Sequence, residues 1–98
     1  TRRVGLEGSL DSVGALLIEK LTADMIREGA ERLELDFERV SFVSSAGVGI
    51  LLGMVSTLRG RGTDVIFVKV PGKVASVFRL LNLEGYFNIS GGRGRVTA

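Results

Sequence analysis

The stretch Phe42-Val43-Ser44-Ser45-Ala46-Gly47-Val48-Gly49 decides how the chain is read. Two hydroxyl residues stand immediately before an apolar pattern at helical spacing, Val48, Leu51, Leu52, Val55 and Leu58, which stops at Gly60. Ser at a helix start accepts a hydrogen bond from an otherwise orphaned backbone N–H, and the apolar face of such a helix must then be buried. The spacing therefore predicts a central, deeply buried helix opening at Ser44 and Ser45. Capping alone accounts for two hydroxyls at this point, and the glycines at 47, 49 and 53 are compatible with nothing more than close helix packing.

On its N-terminal side lies Leu33-Glu34-Leu35-Asp36-Phe37, whose period of two predicts a strand with one face buried, followed by a loop through Val40, Ser41, Phe42 and Val43. Further back, Arg3 to Gly8 predicts a short strand that ends in a turn at Ser9, Leu10 and Asp11. Asp11 is a good N-cap for a helix running to about Glu28, with Val13, Leu17, Leu21 and Met25 recurring every four residues and Leu16, Ile18 and Ile26 widening the stripe. Gly29 closes it. On the C-terminal side, Asp64 to Val70 is rich in β-branched residues and predicts a strand covered on both faces, ended by Pro71 and Gly72. Val74, Val77, Phe78 and Leu81 mark one face of a short helix closed by Gly85, and Tyr86 to Ile89 adds a last short strand. The alternation of strand and helix with short connections predicts an α/β fold. Its mixed or parallel sheet of about four strands has helices packed against it, and the helix N-termini gather at the carboxyl edge of the strands. That edge is where function is sought.

Composition narrows the chemistry. The 98 residues suit one compact domain, here residues 1–90, with a flexible glycine-rich basic tail over 91–98. A hydrophobic content of 45% with 24% charged residues is that of a globular chain. Lys and Arg exceed Asp and Glu by 13 to 11, too small and scattered an excess for a nucleic-acid footprint. The longest apolar run, Val48 to Val55, is broken by Gly49 and Gly53 and is too short to span a membrane, so a cytoplasmic protein is the expectation. Neither Cys nor His occurs, which removes disulfides, the usual zinc sites and histidine bases. Glu34 and Asp36, on the polar face of a strand, are placed to pair with Arg32 or Lys69 and do not form a catalytic carboxylate pair. Gly60-Arg61-Gly62 follows a helix and lacks the Lys-Ser/Thr of a phosphate-binding loop, so it reads as a turn.

Beyond these readings, the chain resembles a known family over nearly its whole length. Gly8-Ser9-Leu10-Asp11 resembles the Gly-Glu-Leu-Asp turn of STAS domains, and Leu35-Asp36-Phe37 with Val40-Ser41-Phe42 resembles their strand and the loop after it. Ser44-Ser45-Ala46-Gly47-Val48-Gly49 is similar to their Asp-Ser-Ser/Ala/Thr-Gly-Leu-Gly motif, whose first Ser is the phosphoacceptor in anti-sigma factor antagonists. The resemblance implies that Ser45 is the phosphoacceptor, with Ser44 the runner-up, standing where the family usually has Asp. It implies a binding protein and not an enzyme, with no cofactor of its own. The partners would be a serine-kinase anti-sigma factor, which brings the ATP, and a PP2C-type phosphatase that reverses the modification. The contact surface implied is Ser44, Ser45, Ala46, Gly47 and Val48 with Asp11, Ser12 and Ser41. Unmodified protein would sequester the anti-sigma factor and free a sigma factor. The alternative is an adaptor or dimerisation domain of a transporter or multidomain regulator that is never phosphorylated; a small flavodoxin-like enzyme is a distant third, without His, Cys or a phosphate cradle. Many members carry a strand before the first one here and a final helix. The chain has room for neither in full, so it reads as a trimmed or excised domain whose sheet edge near Arg3 to Leu6 is open to a second copy, giving a homodimer.

Overall fold

In the computed structural model, which describes residues 1–89, nine-residue strand β1 (Arg2–Leu10) leads through a 3-10 turn (Ser12–Gly14) into helix α1 (Ala15–Glu28). There follow β2 (Arg32–Val43), α2 (Ser45–Gly60), β3 (Asp64–Val68), α3 (Gly72–Leu80) and the short β4 (Asn88–Ile89). The strands form one sheet in the order β1-β2-β3-β4, every neighbouring pair parallel, so the expectation of a mixed or parallel α/β sheet resolves to an all-parallel one among the described residues. The tail expected at 91–98, together with Ser90, lies outside the described residues.

All three helices bury against one face of the sheet. Leu33, Leu35 and Phe37 of β2 and Val65 and Phe67 of β3 join one apolar cluster with Ile18, Leu21 and Met25 of α1, Leu51, Val55 and Leu58 of α2, and Val74 and Phe78 of α3. Phe37, Phe67, Phe78 and Phe87 are fully buried and pin α3 and the approach to β4 onto the sheet, with centroids of Phe67 4.7 Å from both Phe37 and Phe87 and 5.8 Å from Phe78. The opposite face is polar. Arg3 reaches Glu34 and Asp36 at 3.3 Å, and Arg32 pairs with Glu34. Lys69 pairs with Glu38, so the acidic residues of this strand face find their partners partly as expected and partly on β1.

β2 is longer than its periodicity suggests. Its buried residues fall at 33, 35 and 37, then at 40 and 43, and the change of step has a cause in the register with β1. Gly5 faces Asp36 while Glu7 faces Arg39, and Gly8 faces Val40 while Ser9 faces Phe42, so β2 carries a surplus residue twice. The Glu38 N–H beside the first bulge is taken by the Asp36 carboxylate at 2.8 Å. Val40 to Val43, expected as a loop, is therefore strand, and β1 continues through the expected turn to Leu10. In α1 the buried residues are Ile18, Leu21 and Met25, while Val13, Leu16 and Leu17 are 87%, 78% and 61% exposed. The expected stripe is wrong at its first half because Asp11 caps a separate 3-10 turn and the α-helix begins only at Ala15, which resets the phase. β3 stops at Val68, short of Val70, since Lys69 takes a left-handed φ of 55°. Leu81 lies just past α3 and is exposed.

Candidate functional site

The carboxyl ends of β1 and β2 deliver Asp11 and Ser44 side by side at the start of α2. Ser44 is in extended conformation at the N-cap, and its hydroxyl accepts from the Gly47 N–H at 3.0 Å. Its own N–H donates to the Leu10 carbonyl at 2.9 Å, and its hydroxyl also points to that oxygen at 3.4 Å. Across from it, Asp11 caps the 3-10 turn by accepting from the Val13 N–H at 3.0 Å. Both capping expectations hold, and they consume the polar atoms of these two residues.

Gly47 explains how closely the two segments approach. A Cβ at this position would stand 2.2 Å from the Leu10 oxygen and 2.8 Å from its carbonyl carbon, which no side chain tolerates. The glycine is needed so that the first turn of α2 can lie against the end of β1. Gly49 and Gly53, by contrast, face open space along a shallow groove between α1 and α2 that also takes in Glu19 and Thr22.

Ser45 and Ala46 are exposed at the first two positions of α2, and Ser45 makes no side-chain hydrogen bond among the described residues. The first N–H groups of the helix have no partner within it, so this end carries partial positive charge toward solvent. Ser12 and Ser41 are exposed at the same end of the sheet. Gly47 and Val48 are buried, Val48 to 3% exposure, so the expectation that they touch a partner is corrected: one is a packing requirement and the other is core.

Four side chains that the sequence reading did not assign to the site are here. Val13, Leu16 and Leu17 project into solvent from the turn and first helical residues that follow Asp11, and Phe42, 54% exposed, precedes the Ser44 cap by two residues. Together they give the serine a strongly apolar surround. The one signal for them was the excess width of the α1 stripe, more apolar residues than one helix face can bury. No group of three or more acidic, His or Cys side chains placed to hold a metal occurs among the described residues, and none of their helices is long and apolar enough to cross a membrane.

Residues 1–90 match the family described as "Mlab, STAS domain". Among named relatives, BtrV of Bordetella bronchiseptica, described as a provisional anti-sigma factor antagonist, is 26% identical over 93 residues, covering 95% of this chain and 80% of that one. The anti-sigma factor antagonist SpoIIAA in its unphosphorylated form superposes with a TM-score of 0.75 at 24% identity, over 97% of this chain and 90% of the other. The phosphorylated form of the Bacillus cell fate determinant SpoIIAA gives a TM-score of 0.66 at 27% identity, covering 90% and 80%.

Proposed function

The chain belongs to the STAS domain family, and we propose that it acts there as an anti-sigma factor antagonist, a cytoplasmic binding protein and not an enzyme, switched off by phosphorylation of Ser45. Its partner on this reading is a serine-kinase anti-sigma factor, and a PP2C-type phosphatase restores it. The observation that carries the reading is the division of labour between the two serines. Ser44 is spent on the cap, while Ser45 presents a free hydroxyl at a helix N-terminus. The names of the relatives support the same function.

The physics of the switch follows from that position. A phosphate on Ser45 adds about −1.5 to −2 charges where helix N–H groups and the dipole favour an anion, so the domain tolerates it. A partner that has buried Val13, Leu16, Leu17 and Phe42 around the serine has to desolvate that charge in an apolar setting. A loss of about 3 kcal/mol is a loss of over a hundredfold in affinity. Release thus needs no unfolding of the switch.

The test is mass spectrometry after incubation with ATP and a serine-kinase anti-sigma factor, with mapping of the peptide spanning Phe42 to Leu58. One phosphate on Ser45 is expected, absent in Ser45→Ala and merely reduced in Ser44→Ala. Leu17→Asp, which alters an exposed position, is expected to keep the fold and weaken kinase binding roughly tenfold or more. A second reading, the unmodified adaptor, is favoured by one residue, Ser44 in the place of the motif's Asp. Stable binding with no phosphate taken up would decide for it.

A further inference from the structure

β1 stands first in the strand order and is hydrogen-bonded to β2 alone, so among the described residues its outer row of N–H and C=O groups is unpaired over nine residues. Proteins rarely leave so long an edge without a proline, a bulge or a covering element. Both surplus residues at the β1–β2 register shifts belong to β2, so β1 itself carries no insertion, and the first positive φ along it comes at Gly8. Within the regular part lies Arg3-Val4-Gly5-Leu6-Glu7. Reversed upon itself about Gly5, this segment is self-complementary: Arg3 falls opposite Glu7, Val4 opposite Leu6, and Gly5 opposite Gly5.

The faces agree with this register. Leu6 is buried on the helix side with Val4 packed against the same cluster, while Arg3 pairs with Glu34 and Asp36 on the open side, the side Glu7 shares by alternation. An antiparallel pair would extend the apolar layer on one face and place opposite charges across from each other on the other. Glu7 has no ion-pair partner among the described residues, and the Arg3 side chain is 50% exposed. Nothing stands within 4 Å of the space above Gly5, so two backbones can meet there. Sliding the register by two residues either way puts Arg3 opposite Ser9 or Gly5 and loses both charge pairs.

We propose that β1 is a self-recognition edge, through which two copies of this chain form a two-fold dimer by antiparallel pairing of residues 3–7. Every contact then occurs twice, as an isologous interface requires. About five residues per copy make a small interface, so the dimer is reversible and in the micromolar range or weaker. The proposal is independent of the antagonist reading, since the edge involves neither Ser45 nor its apolar surround.

Sedimentation velocity over a concentration series from micromolar to millimolar tests it on four forms of the chain. The unaltered protein is expected to shift from monomer to dimer. Glu7→Arg, which touches none of the described ion pairs, sets Arg opposite Arg twice and is expected to weaken the dimer roughly tenfold or more. Arg3→Glu is expected to do the same, and Arg3→Glu with Glu7→Arg, which leaves the net charge unchanged, is expected to restore it. Thermal unfolding at monomeric concentration separates a folding defect in Arg3→Glu from a loss of association. A chain that stays monomeric throughout, a Glu7→Arg form that dimerises like the unaltered protein, or a double reversal that fails to recover overturns the proposal.

Discussion

At its N-terminus α2 is held by a different strand, whereas at its C-terminus it closes on its own last turn. The Leu10 carbonyl takes the Ser44 N–H and lies against Gly47 with no room for a methyl group. At the far end the Leu58 carbonyl accepts from Arg61 and Thr63 at 3.0 and 2.9 Å, Gly62 turns the chain with a φ of 86°, and Arg59 lies over the exposed Tyr86 ring at 4.9 Å. Both ends show apolar side chains to solvent, Val13, Leu16, Leu17 and Phe42 near one, Leu80, Leu81 and Tyr86 near the other. Only the first pairs that surface with a rigidly positioned backbone and an unspent hydroxyl. Exposed apolar area does not distinguish the ends; the fixing of a polar group within it does.

The sharpest way to break this contrast is to add one methyl group at different points along α2. Gly47→Ala is expected to cost several kcal/mol, enough to unfold a domain of this size, because the methyl meets backbone. Gly53→Ala, exposed and with nothing within 4 Å of the new atom, is expected to stabilise by about 0.5–1 kcal/mol through helix propensity. Thermal unfolding reads both, and similar outcomes for the two would remove the tight junction from the account. Next in size is the cap. Ser44→Ala is expected to lose about 1 kcal/mol, lowering Tm by about 4–8 °C, while Ser45→Ala leaves Tm nearly unchanged and removes the phosphate site. Equal losses for the two serines would show that the capping role is shared.

The smallest effect concerns the open face of the sheet, far from either helix end. The Glu38 N–H, with help from Arg3 and Lys69, holds the Asp36 carboxyl below the usual carboxylate range. A depressed folded-state pKa stabilises the protein above the ordinary Asp value near 3.9, and that contribution is lost as pH falls through the folded value. Asp36→Asn is thus expected to lower Tm by no more than about 4 °C at neutral pH, with the difference from the unaltered chain vanishing in acid. A difference that grows on acidification would overturn this assignment.

The order of elements was legible because the helices and the first half of β2 obey a single period. Leu33, Leu35 and Phe37 alternate, and Val48, Leu51, Val55 and Leu58 follow one helix face. What escaped reading lies where a period changes. Val40 to Val43 has strand geometry with bulge spacing, and periodicity alone cannot tell that from a loop. The 3-10 turn before Ala15 moved Val13 and Leu17 from the expected core to the surface. Ser45 and Asp11 were recognisable from motif and capping chemistry, but no linear pattern says that Gly47 and Val48 face inward while their neighbours Ser45 and Ala46 face out. That distinction depends on the Leu10 carbonyl, a backbone atom contributed from 37 residues away.

The two surplus residues of β2 set a length as well as a pattern. From Arg2 to Leu10 the first strand takes eight steps, and its neighbour takes ten from Leu33 to Val43 to cover the same register. β2 thus works like the finer scale of a vernier, and its end mark is Ser44 set against Leu10. Removing Ser41 would not simply shorten a connection. It would slide the next residue onto that mark, so that Ser45 took the capping place and the motif lost the one hydroxyl it had left to offer.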